Sequence, residues 1–117
     1  MGLFRAIHDT AVAADLLKAA NAINDYHRSI LSITNKYGNN SSEIDYSDEI
    51  LIRGYINSIE DKVKYMSTRM QDIAPYNLFK TMVPCLDGHL TAVPGYVMSI
   101  LEMVRMMRED LSNIKIV

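Results

Sequence analysis

Cys85, Asp87 and His89 fall within Pro84-Cys85-Leu86-Asp87-Gly88-His89, a compact run of a thiol, a carboxylate and an imidazole. Such a set could ligate a metal ion or pair a nucleophile with a base. A structural zinc site, however, wants four ligands, usually in two pairs, and the remaining histidines, His8 and His27, belong to a distant segment. The simpler reading is a connector whose half-buried cysteine behaves as a small apolar residue. Neither a metal nor a cofactor is expected.

The acidic group Glu43, Asp45, Asp48 and Glu49 invites a calcium reading, but it has no glycine at the sixth loop position and no Asp-x-Asp-x-Asp register. Solvated loop and helix-capping roles fit it better. Di-metal or hydrolase chemistry inside a helical bundle needs Glu-x-x-His or Glu-x-x-Glu, and neither occurs. Phosphate-loop, Gly-x-Gly-x-x-Gly and Gly-x-Ser-x-Gly patterns are also missing. The chain is therefore expected not to be an enzyme.

A remaining chemistry is ligand binding. The seven tyrosines and the arginines, Arg105 and Arg108 above all, could together build an anionic or nucleotide pocket between subunits. Against this, Glu102 and Glu109 lie within i, i+3 or i, i+4 reach of the two arginines and can neutralise them.

The 117 residues are 49% hydrophobic and 22% charged, which suits one globular domain over 1–117 able to bury a core. A net charge of −2 disfavours generic nucleic-acid binding. One cysteine allows no internal disulfide, and the start MGLFRAI lacks the apolar core and cleavage site of a secretion signal. It also carries Ala6 where a myristoylation motif has Ser or Thr. The longest uncharged run, Gly88 to Leu101, is 14 residues, short of the roughly 20 that span a bilayer. These features point to a cytoplasmic protein with no integral membrane association.

Periodicity supplies the elements that position all of these residues. Val12, Leu16, Ala19, Ile23, Tyr26, Ile30, Ile33 and Tyr37 are spaced 4 and 3 in alternation, one stripe of a helix, and Gly38 supplies a left-handed stop. Ile52, Ile56, Ile59, Val63, Met66, Met70 and Ile73 repeat the spacing up to Ala74-Pro75, with Ser47 as a candidate cap and Tyr46 as a staple on Leu51. Val93, Val97, Ile100, Val104, Met107, Leu111 and Ile114 form a third stripe, with Pro94 tolerated in its first turn. Phe79, Met82 and Val83 can share one face of a short helix. No strand alternation is present. The expected fold is all-α: an antiparallel bundle of three main helices plus one short helix, over about 4–37, 48–73, 76–83 and 94–113.

Two features point to self-association. At 1.5 Å per residue the first helix is roughly 50 Å long against about 39 and 30 Å for the others, so Leu3, Phe4 and Ile7 fold back at a break near Asp9-Thr10 or meet a partner. From Tyr96 to Leu111, ten of sixteen residues are apolar, more than one stripe uses, which leaves Tyr96, Met103 and Met106 on a second face. The expected partner interface is thus Leu3, Phe4, Ile7, Tyr96, Met103 and Met106. It would serve a homo-oligomer, in the first instance a dimer, or a helical protein partner. The implied function is a small adaptor, chaperone, inhibitor or immunity-type protein of bacterial or phage kind. The alternative is an oligomer that sequesters a small molecule or nucleotide at Arg105 and Arg108.

Overall fold

The 4, 3 stripes demand long helices, and a computed structural model describing residues 2–39 and 41–117 contains them. In chain order the elements are α1 (Leu3–Thr34), β1 (Glu43–Ile44), α2 (Tyr46–Arg69), a 3₁₀ turn (Met70–Asp72), α3 (Pro75–Lys80), β2 (Met82–Pro84), β3 (Leu90–Ala92), α4 (Val93–Asn113) and β4 (Lys115–Ile116). Helix makes up 75% of the described residues, with only minor strands. The described residues span 59 × 22 × 17 Å. No helix among them is long and apolar enough to cross a membrane.

The predicted stripes form the core. Val12, Leu16, Ala19, Ile23 and Ile30 of α1 are buried, as are Ile52, Ile56, Ile59, Val63 and Met66 of α2 and Val97, Ile100, Val104 and Leu111 of α4. Each of these Val, Leu, Ile and Met side chains contributes about 1.5–3 kcal/mol by leaving water. Lys36 and Tyr37 just after α1 bond Asp48 at the start of α2, while Asp15 of α1 pairs with Arg69 at the end of α2. The two helices therefore run in opposite directions.

Several boundaries depart from the expected ones. α1 stops at Thr34, three residues early, because the chain turns through Lys36 and Tyr37, whose amides bond the Ile33 and Thr34 carbonyls, before Gly38 takes a positive φ of 73°. α2 begins at Tyr46 with extended Asp45 in the cap position, and Ser47 lies inside the helix. Asp48 is buried, accepting a hydrogen bond from the Tyr37 hydroxyl and an ion pair from Lys36 at 3.0 Å. α1 also runs through Asp9-Thr10 without a break.

The short helix ends at Lys80 rather than 83. The residue before a proline is biased to extended backbone, so Val83 ahead of Pro84 leaves the helix and enters β2, which pairs antiparallel with β3. Cys85 to His89 is the hairpin connection: the Cys85 amide donates to His89 O at 2.6 Å, the Asp87 carboxylate accepts from the His89 amide, and Gly88 supplies a positive φ of 88°. A second strand pair, parallel, zips Lys115 and Ile116 onto Glu43 and Ile44. Strands of two or three residues are too short to display the two-residue alternation by which a strand is read from sequence.

Tyr96 joins three elements. It is 1% exposed, and its hydroxyl proton is shared between Ala20 O at 3.2 Å and Asn24 Oδ1 at 3.0 Å, while Asn24 Nδ2 donates to Pro84 O at 3.0 Å. Tyr96→Phe should therefore cost about 1–2 kcal/mol, since it strands a buried acceptor. Urea denaturation checks this, and an unchanged midpoint would contradict it. The Asp48 carboxyl is held below its usual range by the Tyr37 hydroxyl first and then Lys36. A depressed folded pKa stabilises the fold above the unfolded value of about 3.9 and ceases to do so as pH falls through the folded one. Wild type should accordingly lose more stability than Asp48→Asn between pH 5 and pH 3 in the same assay.

Candidate functional site

The first half of α1 has two unlike sides. On the inner side Asp9 is 4% exposed, with Arg5 Nε at 3.0 Å from Oδ1 and Asn77 of α3 donating to Oδ2 at 2.5 Å. Burial would raise its pKa, but the Asn77 hydrogen bond, the Arg5 guanidinium and the Ala74 amide outweigh that and hold it below the usual range. His8 and Arg5 both reach the Asp72 carbonyl, at 3.0 and 3.5 Å. The 3₁₀ turn and α3 thus lie against the stretch of α1 that outruns α2, which meets part of the length mismatch from within the chain. A cavity of about 290 Å³ separates them, lined by Ala6, Ala13, Asn77 and Lys80 among others, with exposed Thr10 at the border between this cavity and the outer side.

The outer side carries the predicted interface residues Leu3, Phe4 and Ile7, which are 70%, 86% and 57% exposed. The stripe continues further than those three residues. Leu3, Ile7, Thr10, Ala14 and Leu17 repeat the 4, 3 spacing and are all exposed, Leu17 at 41%. This register is two residues out of step with the core register, Thr10 against Val12, or about 200° round the helix. The two stripes therefore occupy opposite faces. Ala11, exposed at its edge, adds a further small residue, and no charged side chain falls on the stripe itself. Sequence reasoning reached Leu3 and Ile7 by helix length alone and missed Leu17. The available signal was this second alternating register.

The α4 face is not assembled as expected. Tyr96 is not on an uncovered face: at the start of α4 it points into the core, where Ala20 and Asn24 of α1 satisfy its hydroxyl. Burial pushes its phenol well above the usual range. Met103 is half-buried and packed on the core, so it too has cover within the chain. Met106 is 52% exposed. The arginines of the alternative site are occupied. Arg105 bonds Glu102 at 2.5 Å and Glu109 at 2.9 Å, and Arg108 reaches Glu60 at 3.4 Å and Asn57 at 2.9 Å. The Arg105 guanidinium holds the Glu102 carboxyl below its usual range. No group of three or more His, Cys, Asp or Glu side chains comes together among the described residues.

Comparison with known proteins finds no family model that matches the chain, and no curated protein or solved structure that matches it.

The two methionines make opposite predictions. Met106→Glu should leave the thermal midpoint within error of wild type, whereas Met103→Glu forces a carboxylate towards the core and should cost about 1–3 kcal/mol. Circular dichroism melts of both variants decide it, and equal midpoints would show that Met103 is not packed inside.

Proposed function

We propose that this chain is a non-enzymatic helical interaction protein, an antiparallel bundle that acts by laying the outer face of α1 against another helix. The observation that carries the reading is the uncharged stripe from Leu3 to Leu17, opposite the core face of the same helix. A soluble helix ordinarily presents charged and polar residues on that side. Here uncharged outward positions recur every 3.5 residues on average, the spacing by which one helix seats its side chains between those of another, and three of the five, Leu3, Ile7 and Leu17, are large apolar groups. Burying each of them on a partner would stabilise the complex by about 1–2 kcal/mol. An adaptor, chaperone, inhibitor or immunity-type role belongs to this mode of action, whereas the carboxylates already paired to Arg105 and Arg108 speak against an anionic ligand there.

The test is a photo-activated benzoylphenylalanine placed at Ile7 or, as a control, at exposed Ser112 on α4, irradiated in living cells. A covalent protein adduct is expected at position 7 and not at position 112. Absence of any adduct at position 7, in a variant that retains its helicity, would overturn the reading.

A further inference from the structure

The occupant of the α1 face can be named from the stripe's own symmetry. Resting on the reading of that face as a docking surface, we propose that it binds a second copy of this chain, the two α1 helices crossing antiparallel with the two-fold axis at Thr10. A two-fold interface must be self-complementary, and positions 3, 7, 10, 14 and 17 are symmetric about 10 to within one residue. In that arrangement Leu3 meets the partner copy's Leu17 at both ends. Bulky Ile7 meets small Ala14, and Thr10 meets itself. The Thr10 hydroxyl already donates to Ala6 O at 2.9 Å, so it asks nothing of the partner.

Charge selects the direction. Beyond Leu17 the strict register passes through buried Asn24, and the outward side carries Asn21, Asp25 and Arg28 instead, the last two exposed and paired to each other. A parallel pair would set Asp25 against Asp25, Arg28 against Arg28 and Lys18 against Lys18, and like charges face to face are unfavourable. The antiparallel pair carries this polar half past the start of the partner's helix into water. It also brings the Lys18 ammonium beside Phe4, 86% exposed, where a cation on an aromatic face is favourable. Area supports a real contact. Leu3, Phe4, Ile7 and Leu17 expose roughly 500 Å² per copy, so complete cover of all four on both copies would bury about 1,000 Å², the threshold for a specific interface.

The test uses the full chain with Cys85→Ser, so that introduced cysteines are the only thiols. Thr10→Cys should form a disulfide-linked dimer under mild oxidation, and Leu3→Cys alone should not. A mixture of Leu3→Cys with Leu17→Cys should again give dimer. Sedimentation equilibrium of the unmodified chain should show a dimer, and Ile7→Glu should raise its dissociation constant by about tenfold or more. Self-linking of Leu3→Cys as efficient as that of Thr10→Cys would overturn the antiparallel register. A wild-type monomer throughout the tens-of-micromolar range would overturn self-pairing. In that event a photo-adduct at position 7 with a different protein leaves the docking face standing, and no adduct removes both.

Discussion

Tyr96 needs a partner for its hydroxyl in a place where water does not reach, and much of the arrangement depends on how that need is met. A buried phenol without an acceptor would cost about 1–3 kcal/mol, a large share of a small domain's net stability. Ala20 O and Asn24 Oδ1 supply the acceptors, both on α1, and Asn24 turns its own amide nitrogen to Pro84. One small network thereby fixes the start of α4, the middle of α1 and the β2–β3 hairpin against one another. With α2 packed along the same side of α1, this leaves the opposite side of α1 uncovered by any element of the chain in its first half.

Length sets the second condition. α1 has 32 residues against 24 in α2 and 21 in α4. The chain deals with the inner half of the excess by folding the 3₁₀ turn and α3 back along it, where Asp9 is gripped by Arg5 and Asn77. At the other end, the turn after α1 is closed by Tyr37 and Lys36 on Asp48, and β4 is zipped to β1 beside it. Both ends of the molecule are held by a buried carboxylate with neighbouring donors. These two carboxylates, Asp9 and Asp48, are each committed to groups of the chain. The same holds for Arg105, clamped between Glu102 and Glu109.

The first half of α1 also leaves apolar groups uncovered. The outer stripe of α1 from Leu3 to Leu17 carries no charge of its own, and exposed Lys18 borders its far end. The proposed interaction role is the one that gives those side chains a partner.

The sequence by itself determined the helices and their inward faces, because burial of a helix leaves a 3.5-residue repeat that needs no knowledge of what covers it. It also set boundaries, through Gly38 after α1, Pro84 after the short helix, and Pro75 and Pro94 in the first turns of α3 and α4, since these act through local backbone sterics. Leu3, Phe4, Ile7 and Met106 were legible as exposed apolar groups. Tyr96 and Met103 were not legible as core, because counting apolar residues on a helix says that they exceed one stripe without saying which elements arrive to cover the rest. The short strands left no periodic trace. The pairing of Asp9 with Asn77 and of Tyr96 with Asn24, across 68 and 72 residues, was decided by the tertiary structure alone. A hydrogen bond depends on positions in space to a fraction of an ångström, and residue spacing along a chain carries that information only within one turn of one helix.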